Sequence, residues 1–230
     1  MITRRKDYIK QLPSKDARKL YIICEGSGTE PNYFSFFKGL TSNLEIITVP
    51  PERGTDPLKL RDLAEEKFIG ECARFRVDYR ANDSVWFVID TDTWEEEGKI
   101  DTLRRFCYAN NSAYKEKYPD LKLYSAWNVT QSNPSFEIWL YYHFFDKMPD
   151  RELLDSYPTF KSFVNGAIAG GFDYQIDPVR ISVAIQNARA NYKLDSSGKL
   201  CEYATEVFNL AEVIVPFVRT HLERLRGKML

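Results

Sequence analysis

Continuous apolar runs alternate with longer amphipathic segments through the first two thirds of the chain. The run at 84–89 stays apolar after its first residue, which is typical of a strand buried on both faces of a parallel sheet. Strands alternating with helices at this spacing predict βαβ units and a mainly parallel α/β sheet with helices on both faces. The predicted strands are 20–24, 44–49, 84–89 and 121–129. The predicted helices are 32–40 with a helix start at Thr29-Glu30-Pro31, one opening at 55–57, 100–117 and 134–144.

The pattern changes after Met148, where every remaining apolar segment has helical spacing. The sequence of 230 residues therefore predicts that the chain has three parts. These are a basic flexible arm at 1–15, an α/β domain at 16–148 and a helical C-terminal extension at 149–230 packed on that domain. The predicted late helices are 152–156, 158–169, 178–192 and 200–225.

Composition narrows the classes of function. The net charge is -1, so any binding of nucleic acid must come from local basic patches. The four cysteines are widely spaced and there are two histidines, which predicts free thiols and argues against a zinc site. No apolar stretch reaches the roughly 20 residues of a membrane span. We therefore expect a cytoplasmic protein without membrane contact.

Acidic residues follow two of the predicted strands directly. Glu25 comes after the first strand, and Asp90 and Asp92 come after the third. Residues i and i+2 of an extended segment point the same way, so Asp90 and Asp92 are expected to face one point. Clustered carboxylates repel one another unless a hard cation such as Mg²⁺ or Mn²⁺ neutralises them. The alternative is structural, because loops are polar and Asp caps helices well.

Several strings resemble a known family. They are Ile23-Cys24-Glu25-Gly26, Val88-Ile89-Asp90-Thr91-Asp92 and Ser132-Asn133-Pro134-Ser135-Phe136-Glu137, with Thr29-Glu30-Pro31 and Asp56-Pro57-Leu58 between them. In this order they resemble RloB-like proteins, and the Glu-Gly and Asp-x-Asp parts resemble the Toprim domain. The likeness covers roughly 19–144.

The resemblance implies a Toprim-like fold and a link to bacterial anti-phage defence through abortive infection, often beside an ATPase partner of the AAA or ABC type. It also implies metal or catalytic roles for Glu25, Asp90 and Asp92.

Other candidate residues each have a structural and a functional interpretation. Asn133 and Glu137 can form a capping box around Pro134, or Glu137 can join the acids as a catalytic residue. Glu30 is either an acid supporting the metal ligands or a first-turn partner of the helix dipole. Asn133 is likewise a candidate support of the site. His143 is expected to be a core or network histidine, with a general base as the alternative.

Two further features concern phosphate. Gly26-Ser27-Gly28 lacks the lysine and spacing of a P-loop, so nucleotide hydrolysis is not supported, although Gly26 and Gly28 can let backbone amides approach a phosphate. Arg53 and Lys59 are candidate contacts to a nucleic-acid backbone. The alternative is that the two glycines form a flexible turn and that Arg53 and Lys59 are solvated surface residues.

The main hypothesis is a Mg²⁺-dependent phosphodiesterase acting on RNA or DNA, with RNA favoured. The alternative is a catalytically silent module that binds an ATPase or a nucleic acid. A third possibility, a primase-type transferase, needs a nucleotide pocket that the sequence does not reveal.

Overall fold

The computed structural model describes residues 10–121 and 125–227. The α-helices and strands alternate as predicted up to the fourth strand and are followed by helices alone. In chain order they are β1 (Arg18–Cys24), α1 (Thr29–Ser35), β2 (Leu44–Val49), α2 (Pro57–Ala64), β3 (Ser84–Asp90), α3 (Lys99–Lys117), β4 (Trp127–Ser132), α4 (Glu137–Tyr141), α5 (Arg151–Leu154), α6 (Phe160–Ala167), α7 (Ile181–Ala190) and α8 (Val207–Arg226). A π-helix (Glu65–Ile69) and two 3-10 turns (Pro119–Leu121 and Asp177–Arg180) complete the set.

The four strands form one sheet in the order β2-β1-β3-β4, and every pair is parallel. The predicted parallel α/β sheet is therefore confirmed. Parallel pairing brings the carboxyl ends of β1, β3 and β4 to the same edge. At that edge Cys24 pairs with Val88, and Asp90 pairs with Ser132.

Both faces of the sheet are covered, as their apolar residues require. Alternate residues of β1 enter different clusters: Leu20 and Ile22 lie in one, and Tyr21 and Ile23 in the other. The first cluster is completed by α1, α4 and the C-terminal helices, and the second by α2 and α3.

The helical C-terminal region shares the core of the sheet. Leu210, Ile214 and Val218 of α8 are fully buried in the cluster that also contains Leu20 and Ile22. The backbone before α8 also covers the free edge of β4, where Ser132 forms an isolated antiparallel bridge with Thr205. The boundary predicted near 148 thus runs through a continuous hydrophobic core.

The predicted bounds of the fourth strand and of the last helix were wrong. Residues 122–124 of the predicted fourth strand lie outside the described residues. The strand that the structure describes begins at Trp127, because β3 starts at Ser84 and offers no partner before Val85, whose N–H donates to the carbonyl of Ala126. Residues 200–206 are not helical. Ala204 and Thr205 are instead engaged by the end of β4, so the last helix begins at Val207.

Local capping signals were more reliable. Asp56 caps α2 by accepting from the N–H groups of Leu58 and Lys59, and Pro57 occupies the first turn. The helix start predicted at Thr29-Glu30-Pro31 is confirmed, because α1 begins at Thr29. The helix ends at Ser35 rather than at residue 40, before a tighter turn that leads to Gly39 at a positive φ of 74°.

The predicted arm at 1–15 lies mostly outside the described residues. Its described part runs beside the loop after α1: Gln11 and Ser14 donate backbone hydrogen bonds to Gly39 and Ser42. Among the helices that the structure describes, none combines the length and apolar character needed to cross a bilayer.

Candidate active site

One cavity of about 370 Å³ opens at the carboxyl edge of the sheet. This is the edge at which open α/β sheets bind their ligands. Four carboxylates from three separate segments and one lysine from the C-terminal region reach it. The lining consists of Glu25, Gly26, Ser27, Gly28, Thr29, Glu30, Thr55, Asp90, Phe136, Glu137 and Lys161.

Glu25 is held through both of its carboxylate oxygens. Its Oε2 accepts from the backbone N–H of Asp90 at 2.8 Å, and its Oε1 accepts from the indole N–H of Trp94 at 2.9 Å. The side chain is 7% exposed. Since β1 and β3 are neighbours, the first residue after β1 meets the last residue of β3.

Asp90 ends β3 and joins it to the loop before α4. Its Oδ1 accepts from the backbone N–H of Phe136 at 2.8 Å. Asp90 therefore ties the end of β3 to the segment that carries Glu137.

Glu30 is in the first turn of α1, and its side chain folds back over the loop that precedes the helix. Its Oε1 accepts from the N–H of Gly26 at 2.9 Å. A Cβ on Gly26 would lie 2.5 Å from Oε2 of Glu30, so position 26 has to be glycine for this carboxylate to remain in place. Gly28 has no such neighbour within 4 Å.

Glu137 does not form the predicted capping box. The first residue of α4 is Glu137 itself, its cap Phe136 makes no side-chain hydrogen bond, and Asn133 donates its side-chain amide to the carbonyl of Leu200. Glu137 instead accepts from the hydroxyl of Ser135 at 2.7 Å and faces the ammonium of Lys161 at 3.5 Å. The predicted helix start was wrong because long-range contacts, rather than a local cap, hold Asn133.

The electrostatics of the cavity oppose ionisation of its carboxyls. Burial raises the pKa of Glu25 to about 7, against the lowering effect of the Asp90 and Trp94 hydrogen bonds, and the nearby charges of Asp92 and Glu30 add to the rise. Burial, followed by the charge of Glu25, raises the pKa of Asp90 well above its ordinary value. Burial also raises the pKa of Glu30. A bound cation would reverse this by favouring the ionised forms.

The donor chemistry of the cavity fits a hard divalent cation. The carboxylates supply only oxygen ligands, as Mg²⁺ and Mn²⁺ prefer. Within the ranges that the structure describes, however, no three Asp, Glu, His or Cys side chains already form a group that could hold a metal ion. The carboxylates point into their protein hydrogen bonds, so binding a metal requires some of them to rotate.

Asp92 does not share the orientation of Asp90. The strand ends at Asp90, and Asp92 is exposed in a turn with a positive φ of 35°. The expectation that residues 90 and 92 lie in one extended segment was therefore wrong. Asp92 stands at the rim, outside the cavity lining, and its charge still reaches Glu25 and Asp90.

A family model described as RloB-like protein matches residues 20–214. The match includes the parallel sheet except for the first two residues of β1, and most of the helical C-terminal region. The chain belongs to the RloB-like family. No curated protein and no solved structure matches it.

The predicted phosphate contacts of this RloB-like chain divide into two groups. Gly26 and Gly28 line the cavity. Arg53 and Lys59 line a different, smaller hollow of about 90 Å³ with Asp62 and Glu66, and Arg53 pairs with Glu66 at 3.3 Å. From the segment 53–55, Thr55 is the residue that reaches the cavity.

His143 lies in the interior, away from the cavity lining. Its Nδ1 donates to the carbonyl of Trp139 at 2.9 Å, and its Nε2 accepts from the hydroxyl of Tyr33 at 3.1 Å. Complete burial lowers its pKa to about 3, so the ring is neutral. The interpretation as a network histidine is the one that these contacts support.

Sequence patterns missed two residues that touch the candidate acids. Trp94 follows β3 by four residues and gave no motif, although a tryptophan in a polar loop is unusual. Lys161 lies 136 positions beyond Glu25 in the sequence, and only the fold brings it to the cavity. The RloB-like match extends through both positions.

Proposed function

We propose that the chain is a metal-dependent phosphodiesterase that cleaves nucleic acid, with Mg²⁺ or Mn²⁺ as cofactor. The observation that supports this most directly is the convergence of Glu25, Glu30, Asp90 and Glu137 on one cavity. The raised pKa values of Glu25, Glu30 and Asp90 indicate that keeping these three carboxyls ionised without a cation is costly. Membership of the RloB-like family supports the same proposal.

In this proposal Glu25 and Asp90 hold the metal ion, with Asp92 contributing charge from the rim. A divalent ion in such a position activates water and stabilises negative charge on a phosphoryl group. The backbone N–H of Asp90 and the indole N–H of Trp94 hold the Glu25 carboxylate at the cavity before an ion is bound.

Lys161 and Glu137 are assigned the substrate side of the cavity. The Lys161 side chain is 61% exposed, and its 3.5 Å pair with Glu137 resembles a surface ion pair, which typically contributes at most about 1 kcal/mol. Lys161 can therefore turn from Glu137 to a phosphate oxygen at small cost. Glu137 is then free to bind a cation or to orient the attacking water.

The test is cleavage of single-stranded and duplex RNA and DNA by the full chain, with Mn²⁺, with Mg²⁺ and with a chelator. We expect cleavage that the chelator stops and that Glu25→Gln or Asp90→Asn reduces by about two orders of magnitude or more. Glu116→Gln, an exposed acid on α3, is the matched control and is expected to cleave like the parent. Equal cleavage by Glu25→Gln and the parent would remove Glu25 from the catalytic set.

A second candidate function is a silent module that binds an ATPase or a nucleic acid. The observation that favours it is that Glu25, Glu30 and Asp90 already accept hydrogen bonds from the protein. Calorimetric titration with Mn²⁺ separates the two candidates. Binding that Asp90→Asn abolishes supports the phosphodiesterase, whereas a chain that neither binds Mn²⁺ nor cleaves any substrate is the silent module.

The cellular location, the biological role and the partner of the chain are also proposed, each from fewer observations. The four free cysteines suit the reducing cytoplasm. A role in anti-phage defence and an ATPase partner rest on the family resemblance. The near-zero net charge is consistent with a partner that helps to present nucleic acid.

A further inference from the structure

A second hollow of about 420 Å³ lies beside the acidic cavity, across the first turns of α1. Thr29 of α1 lines the acidic cavity, whereas Asn32 and Ser35, three and six residues further on, line the second hollow. Asn32 is three residues from each of the other two, so its side chain lies between those of Thr29 and Ser35 on the helix surface. The opposite wall comes from the loop between α6 and α7. The hollow is lined by Asn32, Ser35, Phe172, Asp173, Tyr174 and Gln175.

Thr29 is the boundary shared by the two spaces. Its hydroxyl accepts from the ammonium of Lys161 at 3.3 Å, and the charges of Lys161, Glu30 and Glu137 reach Tyr174. Lys161 lines the acidic cavity and Tyr174 lines the hollow. Thr29, one turn from Asn32 and hydrogen-bonded to Lys161, is therefore adjacent to both spaces.

The chemistry of the hollow differs from that of the cavity. Its lining has an aromatic ring at Tyr174 and one side-chain amide from each wall, Asn32 and Gln175, and it includes no cation. Asn32 and Gln175 offer donors and acceptors to the edge of a heterocycle, and an aromatic ring offers a stacking surface. Such a lining suits a flat, uncharged, polar ring better than a phosphate.

The aromatic wall is supported from behind. The ring of Tyr174 contacts that of Phe172 at 5.3 Å, and Phe172 packs against Tyr33 and His143 in the core. The loop reaches this position through Gly170 and Gly171, both at positive φ of 82° and 75°. A ring supported in this way loses little freedom when a second ring stacks on it.

We propose that this hollow binds the base of a nucleotide adjacent to the phosphodiester held in the acidic cavity, so that the substrate is a single strand with an unpaired base at that position. The inference rests on the proposed function, because it takes the acidic cavity to be the site of the phosphodiester. A base inside a duplex presents its faces to its stacked neighbours and its pairing edge to its partner strand. It can therefore reach neither Tyr174 nor the two amides.

The experiment measures binding by the full-length Glu25→Gln variant, which slows turnover, in the presence of Mg²⁺. The probes are single-stranded RNA and single-stranded DNA of about ten nucleotides, within the usual size of such sites, each carrying one 2-aminopurine. Its fluorescence falls when the base stacks. We expect quenching with the single strands, and at least about tenfold weaker binding of the same sequences as duplexes. The RNA and DNA arms show which sugar is preferred.

The deciding variants change the proposed stacking surface. Tyr174→Leu is expected to weaken single-strand binding by about tenfold and to remove the quenching, while Tyr174→Trp retains both. Asn32→Ala, an exposed position on α1, tests the other wall without touching the loop. Tyr108→Leu, at a 75% exposed tyrosine on α3, is the matched control.

The outcomes separate this inference from the proposed function. Binding that Tyr174→Leu and Asn32→Ala leave unchanged, or equal binding of duplex and single strand, overturns the base-binding hollow and leaves the phosphodiesterase standing. A Glu25→Gln variant that binds none of the four nucleic acids overturns the proposed function and the hollow with it.

Discussion

Backbone N–H groups and an indole, rather than lysines or arginines, hold Glu25, Glu30 and Asp90 in place. Asp90 receives the N–H of Phe136, and Glu25 receives the N–H of Asp90 and the indole N–H of Trp94. Neutral donors orient carboxylates without fully neutralising them, so the negative potential of the cavity remains available to a cation. Burial is the main cause of the raised pKa values of Glu25 and Asp90, and in Glu25 it outweighs the lowering effect of the hydrogen bonds.

The two loop glycines are expected to respond differently to substitution. In Gly26→Ala the new methyl group would meet the Glu30 carboxylate at 2.5 Å, and this flexible side chain would move away. We therefore expect a small change in stability and a loss of Mn²⁺ affinity of about tenfold or more, within the range for disturbed support of a metal ligand. Gly28→Ala meets nothing within 4 Å and is at a φ of -123°, so it is the matched control. Calorimetry decides, and equal Mn²⁺ affinity in both variants would exclude Glu30 from the site.

Stability without metal is expected to fall as the pH rises from about 4.5 to about 7. Glu25 titrates near 4.5 when unfolded and near 7 when folded, so in this window the folded chain keeps a proton that the unfolded chain has lost. Its stabilising contribution is complete below pH 4.5 and is lost as the pH rises through 7. The same direction holds for Glu30 and Asp90.

Urea denaturation with a chelator measures this pH dependence. One pH unit between folded and unfolded pKa corresponds to about 1.4 kcal/mol. Glu25→Gln should therefore flatten the fall in the free energy of unfolding by about a few kcal/mol at most. Added Mg²⁺ should stabilise the parent more near pH 7 than near pH 4.5. An identical pH slope in Glu25→Gln would mean that Glu25 is ionised in the folded chain throughout.

At the scale of single elements, local signals predicted structure where local forces decide it. The continuous apolar run of β3 and the Asp56-Pro57 start of α2 are confirmed, because burial on both faces and a side-chain cap are determined within a few residues. The start of α4 was wrong, because Asn133 bonds to Leu200, 67 positions away, instead of capping the helix. The prediction that Asp92 continues the extended segment of Asp90 was wrong for a related reason, since the end of a strand depends on the partner strand as well as on its own sequence.

Glu137 at the start of α4 is the element-scale test of function. Glu137→Gln retains an oxygen that can accept from Ser135, and it loses only a charge pair with the largely exposed Lys161. We expect thermal stability to change by a few tenths of a kcal/mol, as is usual for a surface pair. Mn²⁺ binding or cleavage rate should fall by at least about tenfold, as for loss of a group that acts on the transition state. Unchanged melting with unchanged rate would assign Glu137 a purely structural role.

At the scale of the whole molecule, the site depends on the C-terminal region that the sequence separated from the α/β domain. This region supplies Lys161 to the cavity and Tyr174 to the neighbouring hollow. Glu206, just before α8, also contacts Arg104 at 2.7 Å and the backbone N–H of Gln131 at 3.1 Å. Strand-end acids could be predicted because a parallel sheet aligns its carboxyl edges. The contributions of α6 and the following loop could not, because no periodicity encodes which helix packs over which edge.

The shared core predicts that the α/β domain and the helical C-terminal extension unfold as one unit, although the sequence separated them. Leu210 of α8 is fully buried in the same cluster as Trp86 of β3, so loss of either region exposes the other. We expect tryptophan fluorescence and far-ultraviolet circular dichroism to give coincident urea transitions. Leu210→Ala should shift both together, lowering the free energy of unfolding by about 2–5 kcal/mol, as for other buried leucines. An alanine at the exposed Tyr108 of α3 serves as the control.

A fragment ending at residue 148 should lack a cooperative transition, because the face of the sheet with Leu20 and Ile22 would lose its cover. Two separate transitions in the full chain, or a cooperatively folded fragment, would show instead that the α/β part is stable alone and that the helical region is an attachment to it.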